Sequence, residues 1–261
     1  SMIGIFDSGV GGMTVARGVE QLLPGYPLLY LGDIARTPYG TKSAQTIIDY
    51  SVENTRFLVQ NGAKIVVIAC NSASSVATDR LRQEFNIPII EVITPAVQQA
   101  LSKSRKGRIG IIGTRATIRS DIYEAKIREQ SPEYHVFSKA CPLLVSLVEE
   151  GWIDKRETKM ILRRYLHILK NQQVDTLVLG CTHYPLLKHL IQPSIGKKVT
   201  LIDSSAATAL FLKNYLLNNS DFQPSDGHDP GQNRYFVTDL TETAEHIAAK
   251  IFGRNIELLT T

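Results

Sequence analysis

The chain has 261 residues, 43% of them hydrophobic and 21% charged, with a formal net charge of +4. That is enough for one large domain or two small ones around a real core. It leaves no block of like charges for nucleic acid, no apolar run near the ~18 residues of a membrane span, and no opening signal-peptide pattern.

The three cysteines are too few, and odd in number, for a disulfide framework. Reduced thiols in the cytoplasm are the expectation. The mild positive charge argues weakly for anionic ligands. Ser1, ahead of Met2, carries no signal.

Ile3 to Phe6 is a predicted strand, followed by a glycine-rich turn (Asp7-Ser8-Gly9-Val10-Gly11-Gly12) and a helix from Thr14 to Leu23. Such a turn can offer backbone N–H groups to an anion. It is neither a Walker loop nor a GxGxxG fingerprint. Asp7, taken alone, reads as a turn residue bonding its own backbone. Leu28 to Leu31 is the next strand, then the turn Thr37-Pro38-Tyr39-Gly40-Thr41 and a helix from Ser43 to Gln60. Tyr39 reads first as a packed loop anchor. A strand at 65–69, a helix at 73–85 and a strand at 87–93 continue a succession of β-α units. These imply a mostly parallel sheet covered by helices on both faces.

Thr94 and Pro95 mark a boundary. Ala96 to Ser102 is helical, and Arg108 to Ile112 restarts the strand pattern. Gly113-Thr114 and Thr117 follow that strand as Asp7 and Ser8 follow the first. Helices at 120–130 and 157–170, strands at 136–140, 176–180 and 198–203, and a helix at 204–217 complete the run. Residues 218–233 read as a long exposed loop and a candidate for disorder. A strand at 235–237 and a helix at 241–252 close the chain. The predicted domains are 1–94 plus 205–261, and 95–204.

Two stretches repeat one design. Ile65–Ser75 reads IVVIACNSASS and Thr176–Pro185 reads TLVLGCTHYP. In each an apolar run suited to a strand buried on both faces ends in a cysteine and polar turn residues. A thiol there sits at the carboxyl end of a strand, where open α/β sheets bind ligands. A following helix N-terminus is expected to lower its pKa toward neutrality. One such cysteine alone is more often inert packing. Two of them suggest duplicated half-sites offering a sulfur each to a shared cleft. Asn71-Ser72 and Thr182-His183 then supply donors for a carboxylate. Cys181-x-His183 is too small a ligand set for a metal, and His183 suits acid–base help. Cys141, with Pro142 and an apolar run behind it, reads as structural. Glu149 and Glu150 read as a solvated helix end.

FDSGVGG at 6–12, CNSAS at 70–74 and GCTHYPLL at 180–187, with TPYG at 37–40 and the stretch from PLL to EEG at 142–151, resemble the signature segments of the glutamate racemases, in the cofactor-independent aspartate/glutamate racemase family. The resemblance runs from Ile3 to about Asp203. It implies two pseudo-symmetric α/β domains with the site in the cleft between them, no cofactor and no metal. It implies a two-base reaction at the α-carbon of glutamate, with Cys70 and Cys181 on opposite faces, Asp7 assisting Cys70, and His183 and Glu149 assisting Cys181. Asp7, Ser8, Tyr39, Gly40, Asn71, Ser72, Thr182 and His183 fall at substrate-binding positions; Thr114 and Thr117 join them as the second half's turn. Asn-Ser follows Cys70 where the family more often has Asn-Thr, which keeps the hydroxyl. D-glutamate for peptidoglycan and a homodimer are further implications. The alternatives are an aspartate or hydantoin racemase of the same fold, or a non-catalytic protein clasping an anion. A thiol redox protein is disfavoured because no CxxC is present.

Overall fold

The computed structural model describes residues 1–261 and contains two sheets. In the first, β1 is Met2–Asp7, β2 Leu28–Gly32, β3 Ala63–Ile68, β4 Ile89–Glu91, β9 Arg234–Val237 and β10 Leu258–Thr260. In the second, β5 is Arg108–Gly113, β6 His135–Ala140, β7 Thr176–Gly180 and β8 Thr200–Asp203. The six-stranded sheet has the order β10-β9-β2-β1-β3-β4, and the four-stranded sheet β6-β5-β7-β8. Every strand pairing is parallel. A parallel sheet must be covered on both faces, and the alternation of side chains along each strand does this. Ile3, Ile5, Ile65 and Val67 join one core, while Phe6, Val66 and Ile68 join another on the opposite face. Ile111 and Val178 likewise part from Ile112, Leu177 and Leu179.

The order β2-β1-β3-β4 in one sheet matches β6-β5-β7-β8 in the other. That repeat positions the site. Phe6 pairs with Ile68, so Ser8 and Cys70 leave neighbouring strand ends together. Gly113 pairs with Gly180, so Thr114 and Cys181 do the same.

Several expected boundaries move. The strand expected at 87–93 is only β4. The Glu91 side chain accepts the Thr94 N–H at 3.0 Å, which turns the chain into a helix, Ile93–Lys103. That helix runs straight through the expected Thr94–Pro95 boundary and packs on the second sheet. The helix expected at 120–130 is Ile122–Gln130, and an unexpected short helix, Arg115–Ser120, precedes it, the two divided at Asp121 with φ of 62°. Residues 218–233 are a tied-down loop: Tyr26 donates to the Phe222 carbonyl at 3.1 Å, and the Leu28 N–H donates to the Asn233 side chain at 3.0 Å. Strand β10 has no counterpart among the predicted elements; three residues, LLT, carry too little pattern. No helix is long and apolar enough to cross a membrane.

Candidate active site

Cys70 and Cys181 line one cavity of about 20 Å³, together with Ser8, Tyr39, Gly40, Asn71, Ser72, Thr114, Thr182 and His183. A water needs roughly 10–15 Å³ of such space, so the two sulfurs face a nearly closed chamber. Pro38 and Val145 complete its wall. Both fall within the TPYG and PLL-to-EEG stretches that carry the resemblance, though neither is singled out there as a site residue.

Cys70 follows β3 directly and caps the helix Asn71–Glu84, its Sγ accepting the Ala73 N–H at 3.4 Å. The expected lowering of its pKa does not occur. Burial pushes the Cys70 thiol up to about 12, and the Asp7 charge adds to the rise; the bonds from Ala73 and Ser8 oppose it only in part. Desolvation outweighs the helix terminus because the thiolate would form in a chamber with almost no water. Asp7 is fully buried at the end of β1. Its Oδ2 accepts the N–H of Gly9 at 3.2 Å and of Gly12 at 2.9 Å. Burial raises its pKa, against the pull of His183 and these N–H groups. The turn reading and the site reading of Asp7 are therefore both true.

Cys181 follows β7 and leads into a 3-10 turn, Tyr184–Leu187, with no side-chain cap. Its partner is His183 instead, whose Nδ1 lies 3.9 Å from Sγ. The other ring nitrogen, Nε2, lies 2.7 Å from Oε1 of Glu149. His183 is buried, which by itself depresses an imidazolium. The hydrogen bonds to Cys181 and Glu149 outweigh burial and hold its pKa well above the ordinary value. The charged ring then donates from both nitrogens. Glu149 is thus a helix end that is not merely solvated. It stands behind the chamber wall, as Asp7 does.

The halves interlock across the chamber. The Ser72 and Thr114 hydroxyls are 2.7 Å apart, and the Thr114 hydroxyl bonds that of Thr117 at 3.3 Å. Thr117 donates its N–H to the capping Thr114 hydroxyl at 3.3 Å and does not itself line the chamber. The Thr182 hydroxyl donates to Asp7 at 3.5 Å and lies 3.4 Å from His183 Nδ1. Gly40 lies against Thr114 so closely that any Cβ would collide with it, and its carbonyl accepts the Ala116 N–H at 3.0 Å. A Cβ on Gly11 would sit 2.6 Å from the Thr182 hydroxyl and 2.7 Å from His183 Nδ1. A side chain at either position would force its neighbours to shift.

Tyr39 is both anchor and wall. Its hydroxyl points away from the sulfurs, donating to Asp33 and accepting from Asn54 at 2.8 Å. Asn71 is held by Tyr123, whose hydroxyl donates to its Oδ1, while its Nδ2 reaches Ser204 at 3.4 Å. Tyr123 and Ser204 carry no motif signal; only the fold brings them there. Cys141 lies outside the chamber in the second sheet's core, donating weakly to the Lys139 carbonyl at 3.6 Å. Burial pushes its thiol up to about 12.

Two like α/β halves, each closing a cysteine onto one chamber, define the class of two-domain racemases. The model described as Asp/Glu/hydantoin racemase matches residues 13–212, and the chain belongs to that family and is an isomerase. Curated glutamate racemases are 41–46% identical over at least 80% of the chain. That of Geobacter metallireducens is 46% identical over 251 residues, 96% of this chain and 92% of the relative. The crystal structure of a glutamate racemase isoform from Bacillus anthracis superposes with a TM-score of 0.95 at 37% identity, covering 100% of this chain and 97% of that one. The Francisella tularensis glutamate racemase, solved in complex with D-glutamate, gives a TM-score of 0.91 at 33% identity, covering 100% and 96%.

Proposed function

We propose that this chain interconverts L- and D-glutamate by carrying the α-proton between two sulfurs. The observation behind this reading is the pair of thiols reaching one chamber from equivalent strand ends. The α-proton of an amino acid is a very weak acid, and inversion needs a base on one face and an acid on the other. In the L-to-D direction Cys181 Sγ takes the proton, the C–H electron pair passes toward the α-carboxylate, and the Cys70 S–H returns a proton to the opposite face. In the reverse direction the roles exchange. The unequal environments favour this start: Cys70 is held as a thiol, while charged His183 presents Nδ1–H toward Cys181. Ser8, Asn71, Ser72, Thr114 and Thr182, which line the chamber, would donate to the substrate's carboxylates. Asp7 would modulate Cys70, and Glu149 would hold His183.

The chamber is far too small for glutamate, so the proposed domains, 1–94 plus 205–261 and 95–204, must part to admit it and close to exclude water. The relatives' names favour glutamate over aspartate or a hydantoin. Product D-glutamate would serve peptidoglycan synthesis in the cytoplasm, with the enzyme working as a homodimer.

Circular dichroism with each enantiomer of glutamate and aspartate tests the reading. Loss of glutamate signal from both hands, with solvent deuterium appearing on Cα in heavy water, is expected. Equal rates with aspartate overturn the glutamate assignment. Binding without deuterium exchange leaves only an anion-clasping protein.

A further inference from the structure

Behind the chamber a second cavity, of about 260 Å³, lies on the seam between the halves. One wall comes from helices Met13–Leu22 and Glu242–Phe252 with Ser205 and Ala206 at the start of the helix Ser204–Leu217, and the other from Pro185–Lys188 and Asp203. Three cations line it from three different elements: Arg17, Lys188 and Lys250. Its one carboxylate, Asp203, is already committed. It pairs with Lys188 at 2.6 Å and caps the N–H groups of Ser205 and Ala206 at 2.9 and 3.3 Å. Arg17 and Lys250 form no ion pair at all. The cavity lining therefore carries a surplus of two positive charges. A concave site that gathers like charges raises the local concentration of counter-ions.

We propose that this seam is a binding site for a compact oxyanion of charge −2, a phosphate group or a small dicarboxylate, held by Arg17 and Lys250 on one half and Lys188 on the other. Its consequence for the proposed reaction follows from what lies beneath it. The Thr14 hydroxyl lines the cavity, bonds Ser205 at 2.7 Å and donates to the Gly11 carbonyl at 2.8 Å. Gly11 is the residue packed against Thr182 and His183. Pro185 and Leu186, on the far wall, follow His183 closely in the chain. A bound dianion ties these two walls together and so resists parting of the halves.

Titration calorimetry and phosphorus line width with inorganic phosphate, and calorimetry with succinate, test the site on the intact chain. One saturable site near about 1 mM is expected, weakening as added salt screens the exposed charges. The variant carrying Arg17→Gln and Lys250→Gln, both at exposed positions, is expected to bind at least about tenfold more weakly, since a single charge-assisted hydrogen bond is worth that much or more. Phosphate bound in preference to succinate identifies a phosphate-bearing ligand, and the reverse a dicarboxylate. Neither anion binding up to about 50 mM, or the double variant binding like the parent, overturns the site. A second arm rests on the proposed reaction: the saturating anion changes KM for glutamate at least twofold, and the double variant loses that change. Binding without a kinetic effect overturns the tie between the halves and leaves the proposed reaction untouched. Binding to a chain that fails to racemise glutamate overturns the reaction and not the site.

Discussion

The two cysteines leave equivalent strand ends, yet their surroundings differ in kind. Cys70 caps a true α-helix of 14 residues and has a buried carboxylate, Asp7, for a neighbour. Cys181 opens onto a single 3-10 turn and has a buried imidazole, backed by Glu149. The helix terminus, with its partial positive charge, would on its own be the better place for a thiolate. Burial overrides it at Cys70, because a partial charge at one helix end cannot replace the water lost around a buried sulfur. Cys181 has a different neighbour, His183, itself anchored by a carboxylate. The backbone repeat thus makes two thiols available, and the charged side chains beside each sulfur make them unequal.

Removing either sulfur is the strongest way to break the comparison. Cys70→Ser and Cys181→Ser are each expected to lower racemisation by about 10³-fold or more, the upper range for a proton-transfer group, because a serine hydroxyl is hardly ionised. A one-base elimination from a substrate analogue with a β leaving group should survive in each. The two variants should prefer opposite hands: with Cys181 left, the L analogue, and with Cys70 left, the D analogue. Near-parental racemisation by either variant, or one shared preference, contradicts opposed faces.

A milder break exchanges the partners and leaves the sulfurs. Glu149→Gln keeps a hydrogen-bond acceptor for His183 Nε2 but removes the charge, and His183→Asn removes the ring. Losses in kcat of about tenfold for the first and about a hundredfold for the second are expected. The equilibrium constant of a racemase is one, so kcat/KM must remain equal in the two directions. The asymmetry has to appear in kcat and KM separately. The L-to-D kcat should fall further than the D-to-L kcat, and equal falls would show that His183 serves both sulfurs alike.

Packing between the halves can be disturbed without touching either sulfur. Gly40→Ala drives a Cβ into Thr114, and overpacking of this kind typically costs about 1–3 kcal/mol. The turn must retreat from the second half, so KM for glutamate should rise by about tenfold with a smaller change in kcat. An unchanged KM would show that the Tyr39–Gly40 wall gives way freely.

The same inequality of surroundings has a pH signature. The folded pKa of His183 lies well above its unfolded value near 6.5. Its contribution to stability is therefore full below about pH 6.5 and is lost as pH rises through the folded value. Asp7 is also raised above its unfolded 3.8, so its share is present at low pH and lost as pH rises through its folded value. Between pH 6.5 and 9 the parent should lose melting temperature faster than Glu149→Gln, in which the support for charged His183 is gone. Parallel melting curves would deny His183 its charge. In that same range alkylation of Cys70, a thiol at about 12, should accelerate about tenfold per pH unit.

Much of this is legible without the structure. The β-α succession implies the parallel sheets, and the paired IVVIAC and LVLGC stretches mark both sulfurs. Periodicity reports strand ends well, because an apolar run must stop where the sheet stops. It says little about what stands across a cleft. Tyr123 on Asn71, Ser204 beneath it, and the Val145 wall come from residues far apart in sequence with ordinary core roles. The Cys70 thiol departs from expectation for a related reason. A helix N-terminus can be read locally, but burial is set by everything that closes over it. Glu149 reads by composition as any solvated acid; only the resemblance singles it out, and the fold places it against His183.

Cys141 sharpens the comparison by being left out of it. It too follows a strand, β6, and its thiol is raised to about 12 as that of Cys70 is. A raised pKa and a strand end are therefore not enough to mark a working sulfur. What Cys141 lacks is the chamber. Its structural contribution runs through the backbone: its N–H donates to the Gly113 carbonyl at 2.8 Å, and its own carbonyl accepts the Tyr184 hydroxyl at 3.3 Å. Cys141→Ser and Cys141→Ala keep both bonds. Serine buries a hydroxyl where the thiol made only a weak contact, and alanine leaves a space the size of one sulfur. Either should lower stability by about 1–2 kcal/mol and leave racemisation within about twofold. A loss of activity near that of Cys70→Ser, in a variant that melts like the parent, would draw the third sulfur into the proposed reaction and end the division of labour proposed for the other two.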